Sequence, residues 1–158
     1  MKKASLEELI VKALKKRGQT LSLAESITGG GLAESITGVA GASEVFLGGF
    51  VTYSDASKVK FLEIPKRLLT KHTAVSEEVA REMAESTREQ FKSDFAIATT
   101  GVAGPGKAYG QAAGTVWIAI ASKRETITVA LALAGDRATI RRDTIQSALA
   151  TFSRILIP

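Results

Sequence analysis

Apolar residues recur at Leu6, Leu9, Ile10, Ala13 and Leu14, a helical spacing that leaves Glu7, Glu8, Lys12 and Lys15 for the other side. Ser5, with Glu8 three residues on, forms a capping box at the start of this helix, and Gly18 suits a left-handed cap at its end. The period then changes. Thr20 to Ala24 reads as a short strand, and the turn Glu25 to Gly31 feeds a second helix that reaches about Thr37. Val45 to Tyr53 is rich in β-branched and aromatic residues and predicts another strand. A short helix is expected over Ala56 to Leu62, and Pro65 opens a further helical turn around Lys66 to Leu69. Ser76 caps the clearest long helix, with Glu77 and Glu78 at its positive end and Val79, Met83 and Phe91 on or near its apolar side. Asp94 to Thr100 is a buried strand. The stretch from Gly101 to Gly114 holds five glycines and a proline and reads as a loop. Thr115 to Ala121 and Thr126 to Leu133 form a hairpin, and Asp136 caps a last helix carrying Ile140, Ile145, Leu149 and Phe152.

Strands and helices alternate up to the hairpin, which predicts an α/β fold with helices on both faces of a mixed, mostly parallel sheet. The 158 residues show no linker or break in composition, so one domain over residues 1–158 is expected. Aromatics are 6% of the chain against 45% hydrophobic residues overall, so aliphatic side chains must fill most of the core. One pattern interrupts the ordinary run: Leu23 to Gly29 reads LAESITG, and Leu32 to Gly38 reads LAESITG again.

Composition removes several chemistries. With no cysteine there is no disulfide, thiolate nucleophile or thiolate metal site. His72 is the only histidine, so a zinc site built on several imidazoles is impossible. It lies between Lys71 and Thr73 in what reads as a polar connection, and an exposed or backbone-bonded ring is the expectation. The net charge of +5 suits an anionic ligand or nucleic acid, but no aromatic stacking platform supports nucleic acid. Lys2, Lys3, Lys12, Lys15, Lys16 and Arg17 read as largely a solvated helix face. No apolar run approaches the roughly 18 residues of a membrane span, and the basic N-terminus leads into an amphipathic helix. A cytoplasmic location without membrane association is expected.

Gly101 to Ala108 nearly spells a phosphate loop, GxxxxGK[ST], but Ala108 lacks the hydroxyl that would hold magnesium, and the loop leads to a strand rather than a helix. What survives is a strand ending in Thr99-Thr100 that enters a glycine-rich turn, the place where ligands bind in open α/β sheets. Gly29, Gly30 and Gly31 precede a helix whose N–H groups could hold an anion. Arg137 and Arg141 share a face near the start of the last helix and could clamp a phosphate. Serine activated by lysine is the covalent chemistry this composition permits. Ser43, Tyr53 and Lys58 fall in one stretch of turn, strand and helix start, although a nine-residue extended strand spans about 30 Å. The segment would have to bend, at Gly48-Gly49, or the residues would have to meet across a subunit interface.

Five ordered elements together resemble one family. Ala24 to Gly30 is similar to its AES-[CS]-TGG element, Phe50 to Lys58 to GFVTYSNxAK, Ala74 to Ala80 to AVSEEVA, Thr100 to Gly106 to TGIAGPGG, and Gly135-Asp136-Arg137 with Arg141 to GDRxxVR. On these the chain resembles the CinA C-terminal domain family, which includes nicotinamide mononucleotide deamidases. The resemblance implies a three-layer α/β/α sandwich. It also implies hydrolysis of nicotinamide mononucleotide, a pyridine mononucleotide, to nicotinic acid mononucleotide and ammonia, without a metal or other cofactor. Carried over, the serine before GFVTY is Ser43, the nucleophile, with Tyr53 and Lys58 beside it as the catalytic group. Ser26, Thr28, Gly29, Gly30, Thr100, Gly101, Gly104, Gly106, Arg137 and Arg141 become the substrate-binding candidates. A homo-oligomer and a role in the pyridine nucleotide cycle are implied as well. A nucleotide-binding or regulatory module that kept the pocket without catalysis is the alternative. The chain departs from the family at Ile27, where cysteine or serine is usual, and over Lys107 to Ala113, where a lysine and proline before the GTV are missing. On the acyl-transfer reading Lys58 must be neutral to act as base, so it should be desolvated and free of a carboxylate partner.

Overall fold

The computed structural model of the chain describes residues 3–158, so Lys2 of the expected basic face lies outside it. The first helix, α1 (Leu6–Arg17), starts on the Ser5–Glu8 capping box and ends at Gly18 with φ +62°. Strand β1 (Leu21–Glu25) is buried at every position. It is followed by α2 (Gly31–Thr37), one 3₁₀ turn over Ala42–Glu44, and β2 (Phe46–Val51). Helices α3 (Asp55–Leu62), α4 (Lys66–His72) and α5 (Glu77–Phe91) then lead to β3 (Phe95–Gly101). The hairpin β4 (Thr115–Ala121) and β5 (Thr126–Ala132) precedes α6 (Arg137–Leu156), capped by Asp136.

The five strands form one sheet in the order β2-β1-β3-β4-β5. β1 pairs parallel with both β2 and β3, and the β3–β4 and β4–β5 pairs are antiparallel, so only β4 runs against the other four. This is the mixed, mostly parallel sheet that the pattern predicts. Two cores sandwich it. Ile10 and Leu14 of α1, Leu32 and Ile36 of α2, and Leu149 and Phe152 of α6 pack on one face. Leu62, Leu69, Val79 and Met83, from α3, α4 and α5, pack on the other. Apolar residues face the sheet from both sides because each strand of its centre is covered twice, which is why β1 shows no alternation.

The topology fixes where a ligand can sit. The chain leaves β1 for β2 through α2 on one face, and leaves β2 for β3 through α3, α4 and α5 on the other. β1 therefore has its two parallel neighbours on opposite sides, with connections over opposite faces. A crevice opens at such a switch point, at the carboxyl ends of the strands.

Candidate active site

That crevice exists. A cavity of about 260 Å³ lies at the carboxyl ends of β1 and β3. Its floor carries Ser26, just after β1, and Thr100 and Gly101, which end β3. Gly104 and Gly106 of the following loop, Tyr53, Lys107, Tyr109 and Arg137 complete the walls and mouth.

Lys58 reaches this floor from below. Its side chain belongs to α3, whose start is fixed by a reciprocal cap between Ser54 and Ser57. One turn in, Lys58 is only 1% exposed. Its Nζ donates to Ser26 Oγ at 3.0 Å and to the Thr52 carbonyl at 2.6 Å. Among the described residues it forms no ion pair. Burial lowers its pKa from 10.5 to about 8, against a smaller opposing pull from the Asp55 carboxylate. A buried amine without a carboxylate partner, bonded to a serine hydroxyl at a cavity floor, has the composition of a nucleophile and its base.

The turn after β1 is built to hold Ser26. Its backbone N–H donates to the Thr99 carbonyl at 3.1 Å. Arg141 Nε and Nη2 donate to the carbonyls of Ile27 and Thr28 at 3.2 and 3.1 Å, so the carbonyls of the turn are taken up by α6. Glu25 is buried, and its carboxylate accepts the N–H groups of Leu32 and Ala33 at 2.8 and 3.0 Å. It thereby satisfies the first turn of α2 and the helix end that favours negative charge. The N–H groups of Ile27, Ala103 and Gly104 take no partner among the described residues, and all three residues line the cavity. Gly101 must be glycine here, because a Cβ would stand 2.8 Å from Val116 Cγ2 and 2.9 Å from the Thr115 carbonyl oxygen.

Several residues stand apart from their expected roles. Ser43 sits exposed in the 3₁₀ turn before β2, at the amino end of the sheet, with the six residues of β2 between it and Thr52. Those residues put roughly 20 Å of strand between Ser43 and the Lys58 amine. The bend expected at Gly48-Gly49 is present as a bulge, with Ser22 paired to Gly48 and Gly48 at φ +134°, but it shifts register without folding the strand back. Within one chain Ser43 and Lys58 do not meet; the serine hydroxyl beside the Lys58 amine is that of Ser26. Tyr53 is at the cavity mouth, where its hydroxyl accepts from Arg137 Nη2 at 2.9 Å, so its partner is this arginine rather than Lys58. Arg137 Nη1 also donates to the Gly104 carbonyl at 2.6 Å and ties the two sides of the mouth together.

Thr28 is fully buried and shares a hydrogen bond of 2.8 Å with Thr99, away from the cavity. Gly29 and Gly30 do not line it either. The helix end they lead to already holds the Glu25 carboxylate, on the N–H groups of Leu32 and Ala33. Arg141 positions the turn rather than facing the cavity. His72 ends α4, with Nδ1 at 3.4 Å from Glu78 Oε1. Glu25 and the Ser26–Lys58 pairing are absent from the reading of motifs one at a time. Their signal was positional: residues following two adjacent parallel strands converge at one edge.

The comparisons with known proteins agree with this architecture. Residues 3–156 match the CinA C-terminal domain. The chain belongs to the CinA C-terminal domain family. A competence-damage inducible protein of Caldanaerobacter subterraneus subsp. tengcongensis is 48% identical over 137 residues, 86% of this chain and 33% of its own length. One from Streptococcus pneumoniae is 39% identical over 154 residues, 97% of this chain and 37% of its own. The chain thus spans about a third of the length of these curated relatives. Among solved structures, the competence damage-inducible protein A from Klebsiella pneumoniae subsp. pneumoniae superposes with a TM-score of 0.93 at 37% identity, covering 96% of this chain and 94% of that one. CihA from Agrobacterium tumefaciens gives 0.91 at 32%, covering 100% and 99%. No described helix of this CinA-family chain is long and apolar enough to cross a membrane.

Proposed function

We propose that this CinA-family domain is an amidohydrolase that converts nicotinamide mononucleotide to nicotinic acid mononucleotide and ammonia, with Ser26 as nucleophile and Lys58 as base. The observation that carries the reading is the 3.0 Å contact between a buried Lys58 amine and Ser26 Oγ at the floor of the cavity. Neutral Lys58 takes the hydroxyl proton as Ser26 Oγ bonds to the carboxamide carbon. The free N–H groups of Ile27, Ala103 and Gly104 are the donors available to the oxyanion. As the C–N bond breaks, the Lys58 ammonium gives its proton to the amide nitrogen, which leaves as ammonia. Water, deprotonated by the same amine, then attacks the acyl ester, and the Lys58 ammonium returns that proton to Ser26 Oγ as the ester bond breaks.

The family resemblance and the charge at the mouth support this substrate class. Lys107 and Arg137 stand at the mouth, and neither is in an ion pair among the described residues. Two such cations suit a phosphate. The homo-oligomer remains part of the proposal. β2 is an edge strand and exposes Leu47 and Val51, and light scattering measures the assembly directly.

The deciding experiment is ammonia release from nicotinamide mononucleotide by wild type, Ser26→Ala and Ser43→Ala. Ser26→Ala should lose on the order of 10³-fold or more in kcat, as removal of a nucleophile does. Ser43→Ala should resemble wild type. Retained activity in Ser26→Ala, or its loss in Ser43→Ala, overturns the assignment. A folded wild type that binds the nucleotide without releasing ammonia is a binding module instead.

A further inference from the structure

The loop that closes the cavity contains a smaller element. Ala108 and Gln111 exchange both backbone hydrogen bonds, at 3.1 and 2.9 Å, and close a two-residue hairpin turn. The residues between them, Tyr109 and Gly110, have φ of +54° and +72°. Two consecutive left-handed residues make a type I′ turn, whose first position favours asparagine, aspartate or glycine because a bulky side chain is crowded there. On backbone grounds tyrosine is a poor choice. The strain is held in place. Gln111 Nε2 donates to the Val75 carbonyl at 2.7 Å, and the adjoining Ala74 carbonyl accepts from Thr100 Oγ1 at 2.7 Å. Ala74, Val75 and Thr100 are all cavity wall, so the turn is fastened to the cavity it overhangs.

What this strained position presents is an aromatic ring. Tyr109 lines the cavity yet is 47% exposed, and it belongs to neither core. The chain has only two tyrosines. The other, Tyr53, lines the same cavity and is 59% exposed. The two are neighbours: besides burial, the main cause, Asp55 and Tyr53 help raise the Tyr109 hydroxyl above its ordinary pKa. Tyr53 is tethered through Arg137, whereas the Tyr109 hydroxyl makes no hydrogen bond among the described residues. Its ring is free to settle on a ligand. Backbone strain kept at a cavity mouth, for a side chain that packs into no core, marks a functional position.

We propose that Tyr109 recognises the flat face of the substrate's aromatic ring, which makes the 108–111 hairpin a specificity element for heteroaromatic over aliphatic carboxamides. This rests on the proposed substrate, but its test reads binding alone and does not require turnover. A tyrosine face attracts a pyridinium by stacking and by cation–π contact, and gives nothing comparable to an aliphatic amide. Tyr109 acts here on binding and leaves the Ser26–Lys58 pair untouched.

The test is calorimetric titration in a Ser26→Ala background, so that no turnover occurs, with nicotinamide mononucleotide and ribose 5-phosphate as probes. Replacing Tyr109 by alanine, and separately by glycine to relieve the backbone, should weaken the mononucleotide about tenfold. Tyr109→Phe should bind as tightly as the parent, and ribose 5-phosphate should bind equally to all four proteins. Unchanged mononucleotide affinity in both ring-less variants overturns the proposal, as does an equal loss for both probes or no binding of the mononucleotide at all. Should Ser26-intact enzyme release no ammonia while ring-dependent binding persists, the catalytic reading falls and this one stands.

Discussion

The activity should rise with pH through the titration of one amine. In the folded chain Lys58 sits at about 8 instead of 10.5, burial being the main cause and Asp55 opposing it. The gap corresponds to about 3 kcal/mol. At pH 7 an amine with a pKa of about 8 is about one-tenth neutral, whereas an ordinary lysine is neutral in only about three molecules per ten thousand. Burial therefore raises the supply of base about 300-fold. Only the neutral amine accepts the Ser26 proton, so kcat/KM should climb about tenfold between pH 7 and pH 9 and then level off. Initial rates of ammonia release, taken at constant ionic strength across this range, measure it. Asp55→Asn supplies the second arm. Removing the carboxylate that favours the ammonium must move the limb to lower pH and raise the rate at pH 7. A flat profile, a limb centred near the ordinary lysine value, or an upward shift in Asp55→Asn refutes the reasoning.

Lys58→Met should be inactive and should change the pH dependence of stability. The folded pKa lies below the unfolded one, so the unfolded chain binds more protons, and the cost is full below about pH 8 and fades toward 10.5. The stability of wild type relative to Lys58→Met should therefore rise by about 2–3 kcal/mol between pH 7 and pH 10, read by urea unfolding; parallel curves contradict this. Arg141→Ala frees the carbonyls of Ile27 and Thr28 and loosens the turn that aims Ser26. It should lower kcat by about 10²-fold with a smaller change in KM, and Arg141→Lys should not restore it because a single ammonium does not reproduce the fork. A raised KM at unchanged kcat would show that Arg141 binds substrate instead.

The elements were legible because each carries its own local signal. The Ser5–Glu8 capping box, the Ser76 and Asp136 caps and the glycine at position 18 mark helix ends that the structure places within a residue or two. The alternation of strands and helices was enough for the layers. What local patterns do not contain is which strands are neighbours. Ser26 and Lys58 are 32 residues apart, and nothing near either one names the other. They meet because β1 lies beside β2 in parallel, so that the residues leaving both strands emerge at the same edge. Ser43 is closer to Lys58 in sequence, yet the length of β2 carries the two to opposite edges. The strand-length argument already raised that objection, and the geometry upholds it. Thr28, Gly29 and Gly30 lie outside the cavity wall for a related reason. A glycine-rich helix start offers an anion site only while its N–H groups are free, and the buried Glu25 takes those of Leu32 and Ala33.

The repeated heptapeptide shows the same point in its sharpest form. In the first copy, Leu23, Ala24 and Glu25 are strand and Ser26 begins a turn; in the second, Leu32 to Thr37 is helix and Gly38 ends it. Local propensity is identical, so the difference comes from where each copy lies. The first is flanked by β2 and β3 and completes their ladders, while the second begins on N–H groups that Glu25 of the first satisfies. Each copy contributes a serine with the same neighbours. Ser35 spends its hydroxyl on the Gly31 carbonyl one turn back, an ordinary helix contact at 3.0 Å. Ser26 meets a buried amine at the same distance. On the proposed reading, reactivity therefore does not reside in the sequence around the serine. It comes from the partner that the sheet order delivers to it, and the two serines form an internal control: Ser35→Ala should leave ammonia release intact where Ser26→Ala abolishes it.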